Sequence, residues 1–399
     1  MAKSAVAAML GRQVKRLYKK NNFQVIGVAG SIGKTSTKLA IAQVLSAGFK
    51  VRYQEGNYND LVSVPLIFFG QELPSLYNPF AWMAVFRRNA RQLKNPYPYD
   101  AVVVELGSDG PGQIAAFRRY LKLEIGVVAA ITPEHMQNFD SIDAVAKEEL
   151  AIKDFSSLVI ANNDLIDKKY LEDLPDKLTY GLKDGDYNVA VLGPGGSGLS
   201  EPEQYSRIAA CAVAVKLGMD KETIAKGLAN ISDVPGRMRK LAGINSSTII
   251  DDSYNASPDA VKLALRYFYR LQAPQKIALL GNMNELGETS AAAHKEIGEL
   301  CDPRQLGLVV TLGPDANKFL APAAEAKGCS VKSFDSPYEA GEYIKEHIKK
   351  GALVLVKGSQ NGVFAEEAVK SFLANKDDEE KLVRQNPEWM KIKRKAFKA

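Results

Sequence analysis

The residues with the clearest chemistry follow a short apolar run, residues 25–28. A glycine-rich turn comes next, and an apolar helical pattern follows over residues 39–45. In that order of strand, turn and helix, backbone N–H groups and the positive end of a helix converge on a phosphate. Lys34 adds a charge, and Thr35 adds a hydroxyl for a metal ion. The strict phosphate-loop pattern has glycine where this chain has Val28. We predict a nucleotide site formed by Gly30, Ser31, Ile32, Gly33, Lys34, Thr35 and Ser36.

A nucleotide enzyme also needs groups that hold Mg²⁺ at the phosphates. Glu105 ends the apolar run 101–104, and His135 follows the run 125–130. The carboxyl ends of parallel strands open into a ligand crevice, so both side chains are candidate metal ligands together with Thr35. The alternatives are a surface glutamate and a structural histidine.

Composition limits the class of protein. A chain of 399 residues, with 46% apolar and 25% charged residues, suits a globular protein of two or three domains. Its three cysteines are scattered, which favours a reducing, cytoplasmic compartment and argues against structural zinc. The net charge of +6 comes from the ends, because residues 1–20 and 391–399 carry eleven basic and no acidic residues. The remainder is at −5, and we therefore expect no nucleic-acid partner.

Short β-rich runs alternate with helical patterns along most of the chain, which predicts an α/β fold. We expect a phosphate-loop central domain with a mostly parallel sheet, and a C-terminal Rossmann-like α/β domain. The predicted domains are a basic amphipathic N-terminal helix (1–22), the central ATP-binding domain (23–233, with an insertion at 71–99), the C-terminal domain (234–375) and a charged, partly disordered tail (376–399).

Two segments suit either internal packing or a surface. The helix at 5–20 alternates apolar and basic residues, and the insertion at 71–99 carries an apolar stretch that ends in arginines. Packing on the domain is the first interpretation of both, and a peripheral membrane contact is the second.

A second glycine-rich segment, residues 193–198, matches the dinucleotide pattern G-x-G-x-x-G. We reject that interpretation, because Pro202 falls where the bound helix would run and no strand with a terminal acid follows. A flexible connector is expected instead.

The order of motifs resembles the Mur ligases. The motifs are Gly30-x-x-Gly-Lys-Thr35, residues 55–59, Val104-Glu-Leu-Gly107, Thr132-Pro-Glu-His135, Val234-Pro-Gly-Arg-Met238, residues 251–256, residues 281–288 and Leu355-Val-Lys-Gly-Ser359. The resemblance covers residues 25–372.

The resemblance implies an ATP-dependent peptide ligase that acts on a peptidoglycan precursor. Such enzymes phosphorylate a carboxylate with ATP and Mg²⁺, and an amine then attacks the acyl phosphate. The implied substrates are a muropeptide-type carboxylate and an amine such as D-Ala-D-Ala, and the implied state is a cytoplasmic monomer. The implied catalytic residues are Lys34, Glu105, His135, Glu149, Arg237 and Lys357, and further nucleotide contacts are Arg237, Asp252, Tyr254 and Asn255. The implied Mg²⁺ ligands are Thr35, Glu105, His135 and Glu149.

Four departures from the family pattern accompany these expectations. Few residues precede the phosphate-loop strand, so we expect no counterpart of the family's UDP-binding domain. Glu149 aligns with the family's carbamylated lysine, which binds Mg²⁺, and could act as a shorter, genetically encoded carboxylate. The family's His-Asn-x-x-Asn segment becomes residues 202–206, and Gln360 replaces an arginine. A ligase with a lipid-linked acceptor and a non-catalytic nucleotide-binding partner therefore stay open as alternatives.

Overall fold

The computed structural model describes residues 3–56, 58–174 and 176–397. The chain divides into two compact units. Unit 1 consists of residues 1–132 and 138–231, and unit 2 consists of residues 133–137 and 232–399. Asn57, within the predicted motif at 55–59, lies outside the described residues.

Unit 1 is built on a six-stranded parallel sheet. Its strands are β1 (Gln24–Ala29), β2 (Val51–Arg52), β3 (Ala101–Glu105), β4 (Leu123–Val128), β5 (Ser156–Asn162) and β6 (Leu178–Tyr180), in the order β2-β3-β1-β4-β5-β6. The central strands β1, β3 and β4 are almost entirely buried, which explains why they appear in the sequence as continuous apolar runs. The carboxyl ends of β1 and β3 are neighbours, because Val28 pairs with Glu105.

The helices of unit 1 are α1 (Lys3–Lys20), α2 (Lys34–Leu45), α3 (Ser63–Phe69), α4 (Pro79–Gln92), α5 (Gln113–Phe117), α6 (Ile142–Leu150), α7 (Lys168–Glu172), α8 (Glu201–Lys216) and α9 (Lys221–Ala229). Two 3₁₀ segments, Ala151–Phe155 and Val189–Gly196, connect them. The core under the sheet is formed largely by α2 and α8.

Unit 2 contains a second six-stranded sheet. Its strands are β7 (Arg239–Gly243), β8 (Ser247–Asp252), β9 (Lys276–Gly281), β10 (Leu308–Leu312), β11 (Val331–Phe334) and β12 (Leu353–Lys357), in the order β11-β10-β9-β12-β8-β7. Only β7 runs antiparallel to its neighbour. Apolar clusters fill both faces. The two α/β sheets confirm the predicted fold class.

The helices of unit 2 are α10 (Pro258–Arg270), α11 (Ser290–Glu299), α12 (Ala321–Ala326), α13 (Pro337–His347), α14 (Glu366–Lys370) and α15 (Pro387–Phe397). A π-helical turn, Ala316–Leu320, precedes α12, and 3₁₀ turns lie at Ile244–Ser246, Gly287–Thr289 and Lys376–Lys381. No helix in the described part of the chain is long and apolar enough to cross a membrane.

Two expectations about local structure are wrong. Residues 376–397 are ordered, since they include a 3₁₀ turn and α15, which buried ion pairs hold in place. Pro202 does not prevent a helix, because it stands in the first turn of α8, where Ser200 and Glu203 form a capping box. The glycine-rich segment before it is a 3₁₀ turn rather than the end of a strand, so the dinucleotide interpretation still lacks its strand.

Candidate active site

The phosphate-loop motif of unit 1 connects β1 to α2 as expected. Gly30 has φ 127°, and a Cβ there would lie 2.8 Å from the backbone nitrogen of Ala130, so only glycine fits. Gly33, at φ 81°, turns the chain into α2. The N–H groups in the first turn of α2, from Lys34 onward, have no partner within the helix and form the feature that attracts an anion. The nucleotide contacts themselves remain a prediction.

Ser31 anchors the loop to the residues that follow β4. Its N–H donates to the carbonyl of Ala130 at 2.9 Å, and its hydroxyl accepts from the N–H of Thr132 at 2.8 Å. The side chain is 2% exposed. Both polar groups are therefore engaged within unit 1. Lys34 folds back over the same loop, and its Nζ donates to the carbonyl of Ser31 at 3.0 Å and to that of Gly30.

Helix α6 directs two neighbouring carboxylates into unit 1. Glu149 is buried, and its Oε2 accepts a hydrogen bond from the N–H of Gly30 at 2.6 Å. Glu148 accepts from Ser108 and from the N–H groups of Gly112 and Ile114, and so orders the loop after β3. Lys147 is exposed. Glu149 thus touches the phosphate loop, whereas Glu148 binds the loop after β3.

Glu105 lies at the end of β3, beside the phosphate loop, and is 3% exposed. The Nζ of Lys38 is 3.4 Å from its Oε2, which makes an ion pair, yet that oxygen accepts no hydrogen bond from the described residues. Lys38 is fully buried on α2 and also donates to the carbonyl of Gly56 at 3.5 Å. Sequence reasoning missed Lys38. The available signal was a lysine within the apolar stretch of a helix, which needs a buried anion.

His135 belongs to unit 2 by its contacts, whereas Glu105 and Glu149 belong to unit 1. Its backbone has φ 52°, and its Nδ1 lies 2.7 Å from Oε2 of Glu285. The hydrogen bond with His135 lowers the pKa of Glu285 below its usual range. Within residues 3–56, 58–174 and 176–397, no group of three or more histidine, cysteine, aspartate or glutamate side chains is arranged to hold a metal ion. The Mg²⁺ ligands therefore remain a prediction.

Asp252 and Lys357 form a buried ion pair in unit 2. They face each other at the ends of β8 and β12, with Nζ 2.6 Å from Oδ2. Lys357 also donates to the carbonyl of Asn255 at 2.9 Å, and Asp252 accepts from the N–H of Met238 at 3.2 Å. Because Lys357 is 2% exposed, its direct effect is on the turn at 252–255, and the predicted contact with an amine substrate is untested.

Arg237 lies over the ring of Tyr254, with its guanidinium carbon 4.2 Å from the ring centroid. The N–H of Tyr254 donates to the carbonyl of Gly236 at 3.1 Å, which fixes the two segments together. Arg237 Nε is buried and has no hydrogen-bond partner among the described residues. The motifs that contain Arg237, Asp252, Tyr254 and Asn255 thus form one cluster in unit 2.

Arg384 of the C-terminal tail contacts the backbone of that cluster. Arg384 donates to the carbonyls of Ser253 and Tyr254 at 2.8 and 2.9 Å, and makes a bidentate pair with Glu366 at 2.7 and 2.8 Å. Lys393 of α15 is fully buried and binds both Glu366 and Glu367. Sequence reasoning missed this network. The available signal was the pair Glu366 and Glu367 in an apolar segment, because buried carboxylates need cationic partners.

Comparison with known proteins agrees with the fold and the motifs. The Mur ligase middle domain matches residues 84–199, and the Mur ligase glutamate ligase domain matches residues 236–360. The UDP-N-acetylmuramoyl-tripeptide–D-alanyl-D-alanine ligase of Bacillus subtilis is 27% identical over 375 residues, 88% of this chain and 76% of the relative. The enzyme of that name from a Synechocystis strain is 28% identical over 352 residues, 84% and 72% of the two chains.

Among solved structures, MurF ligase from Thermotoga maritima in complex with ADP has a TM-score of 0.72, at 22% identity, over 95% of this chain and 85% of that one. MurF from Acinetobacter baumannii has a TM-score of 0.69, at 21% identity, over 88% and 77%. The chain belongs to the Mur ligase family. It is an ATP-dependent ligase that forms amide bonds.

Proposed function

We propose that the protein is a ligase of MurF type. It joins D-Ala-D-Ala, or a closely related amine, to the carboxylate of a peptidoglycan precursor, through an acyl phosphate formed with ATP. The relatives carry that name, and the motifs that contact nucleotide in this family occur here in order. The proposal includes action as a monomer in the cytoplasm, where ATP and nucleotide-linked precursors are available. The three buried, unpaired cysteines suit a reducing compartment.

The nucleotide site of this proposal is the phosphate loop of unit 1. Mg²⁺ supplies charge neutralisation between the triphosphate and the carboxylate. Its proposed ligands are Thr35, Glu105, His135 and Glu149. The observation that supports this set is the buried Oε2 of Glu105, which accepts no hydrogen bond in the described residues, since hard oxygen donors are what Mg²⁺ prefers. Lys34 is the proposed partner of the terminal phosphates.

The unit 2 cluster has a separate proposed role. Arg237 and Tyr254 contact the nucleotide, and Asp252 and Lys357 keep the turn that carries Tyr254 and Asn255 in shape. A guanidinium stacked on a tyrosine ring, as Arg237 is on Tyr254, suits recognition of a phosphate or an aromatic base.

The single observation that carries the proposal is the hydrogen bond from Gly30 of the phosphate loop to the buried carboxylate of Glu149. It sets a carboxylate beside a phosphate site, where cations that enter with the nucleotide would neutralise the two anions.

The test is a ligation assay with purified protein, ATP, Mg²⁺, UDP-linked muramoyl tripeptide and D-Ala-D-Ala. We expect ADP, phosphate and the ligated product in equal amounts, with no phosphate when either substrate is omitted. Lys34→Ala is the control and should abolish turnover without unfolding the protein. ADP binding without any turnover would favour the non-catalytic alternative instead.

A second candidate function is a Mur-type ligase with a lipid-linked acceptor. It is favoured by the exposed apolar and basic side chains of α1 and α4 in unit 1, and by the glutamine at position 360. Replacing the UDP-linked substrate with the lipid-linked one in the same assay separates the two.

A further inference from the structure

Unit 1 exposes a cluster of large apolar side chains. Ten such side chains are exposed within residues 3–56, 58–174 and 176–397, and half of them lie between residues 9 and 83. Tyr77 is 96% exposed and Phe80 is 76% exposed, and these two are the most exposed of the set. The five residues are Met9, Leu73, Tyr77, Phe80 and Met83.

The exposure is built into the packing of α1 against α4. Val6 and Leu10 of α1 share a buried cluster with Trp82 and Val85 of α4. Gln13 then bonds to the carbonyl of Phe86, and Lys20 to that of Leu93, so the two helices run side by side in the same direction. The facing sides of the two helices are filled by this buried cluster. The five exposed apolar residues lie outside it.

Phe80 and Met83 share the outer side of α4 with basic residues. At 100° per residue, Phe80, Met83, Arg87 and Arg91 all project away from buried Trp82. All four are exposed. The helix therefore presents an apolar N-terminal half and a basic C-terminal half on one face.

The two segments that form this surface carry charge of one sign. Residues 1–22 and 73–99 contain ten basic and no acidic residues, which leaves the rest of the chain at −4 although the whole carries +6. One of the ten, Lys3, pairs with Asp60. The exposed residues of α1 include Arg12, Lys15, Arg16 and Lys19, which form no ion pair with the described residues. Their charge is therefore available to an external partner.

We propose that this face of α1 and α4, with the loop at 73–78, docks on an anionic membrane surface. Aromatic and methionine side chains enter the interfacial region of a bilayer, while arginines and lysines pair with acidic headgroups. A second copy of the chain is a poor occupant, because it would bring the same positive charges face to face. The proposal does not depend on the ligase activity, and it would bring the enzyme to lipid-linked material.

The test is sedimentation of the full chain with vesicles. Vesicles of three parts phosphatidylcholine to one part phosphatidylglycerol should bind the protein, and pure phosphatidylcholine should not. Each basic group near an anionic bilayer strengthens partitioning about fivefold, so Arg87→Gln with Arg91→Gln should weaken binding about 30-fold. Tyr77→Ser with Phe80→Ser should weaken it at least about tenfold, because large apolar contacts are lost.

Matched controls are Lys349→Gln with Lys350→Gln, and Val191→Ser with Val215→Ser, all at exposed positions elsewhere. They should leave binding unchanged. Circular dichroism checks that each variant is folded. The ligation assay measures the proposed function independently of vesicle binding. No binding to anionic vesicles in low salt would overturn the proposal. Equal loss in the controls would do the same, as would a light-scattering mass of two chains that reverts to one on Tyr77→Ser with Phe80→Ser.

Discussion

Glu149 offers the sharpest test of how this protein manages charge at its phosphate loop. The resemblance to the family predicts that Glu149, an encoded carboxylate, takes the place of a carbamylated lysine. Its Oε2 accepts from the N–H of Gly30 at 2.6 Å, and the residue is 4% exposed. We predict that Glu149→Gln removes most Mg²⁺-dependent turnover and that the wild-type enzyme needs no bicarbonate.

The size of the effect follows from what glutamine keeps. Its amide oxygen can still accept from Gly30, so the loop loses only the difference between a charged and a neutral hydrogen bond, about 1 kcal/mol. Burial favours the neutral group and offsets part of that. A missing charge where the transition state is stabilised costs about 100- to 1,000-fold in kcat. We therefore expect a large fall in kcat with a change in unfolding free energy within about 1 kcal/mol.

The assay measures phosphate release against Mg²⁺ concentration in CO₂-depleted buffer, with and without bicarbonate. Lys147→Ala is the matched control, since Lys147 is exposed on the same helix, and it should retain full activity. Glu149→Lys extends the test. It should be inactive without bicarbonate and regain some activity with it, if a carbamate can form at this position.

Two results would refute the reasoning. Near-normal turnover by Glu149→Gln would mean that the carboxylate only shapes the loop. Stimulation of the wild-type enzyme by bicarbonate would mean that a lysine elsewhere carries the functional carbamate.

Three further predictions concern the buried charges. Lys38→Met should destabilise the fold by about 3–5 kcal/mol in urea unfolding, because Glu105 stays buried without its cation, and adding Glu105→Gln should recover most of that; additive losses would count against the ion pair. Arg384→Lys should raise KM for ATP more than it lowers kcat, because lysine cannot hold both Glu366 and the carbonyl of Tyr254; an unchanged KM would exclude a positioning role. Burial raises the pKa of Asp251 to about 6 from its usual 3.8, so the native state favours its protonated form, and stability should fall by about 3 kcal/mol as pH rises from about 4 through about 6. Asp251→Asn should lack that fall in urea midpoints measured across this range.

Local signals account for what could be predicted. The strand, turn and helix around Lys34 lie within about twenty residues, and the glycine at φ 127° is required by that geometry alone. Glu105 could be foreseen because an apolar run that ends in a carboxylate is typical of a parallel strand at a ligand crevice. The position of Glu149 beside the phosphate loop came from the family motif, since nothing in its own helix distinguishes it from Glu148.

The contacts that could not be predicted join residues far apart in the sequence. Lys38 and Glu105 are 67 positions apart, and neither has a helical neighbour of opposite charge that would suggest the pair. Ser31 stands in the phosphate-loop motif, yet its hydroxyl serves Thr132, which only the parallel neighbour β4 brings near. A single sequence contains the residues of such contacts without indicating which ones meet.

The C-terminal tail is a further case in which long-range ion pairs could not be predicted from the sequence. The sequence predicted a charged, partly disordered tail, but Lys393 is fully buried and Arg384 is 5% exposed, each paired with Glu366. Two buried glutamates would be too costly without these cations, so the tail is required by unit 2 rather than appended to it. Because Arg384 also holds the carbonyl of Tyr254, the same network supports the predicted nucleotide cluster. Lys393 and Arg384 are therefore not available to an acidic partner, whereas the basic residues of α1 and α4 are exposed, and the proposal places such a partner there.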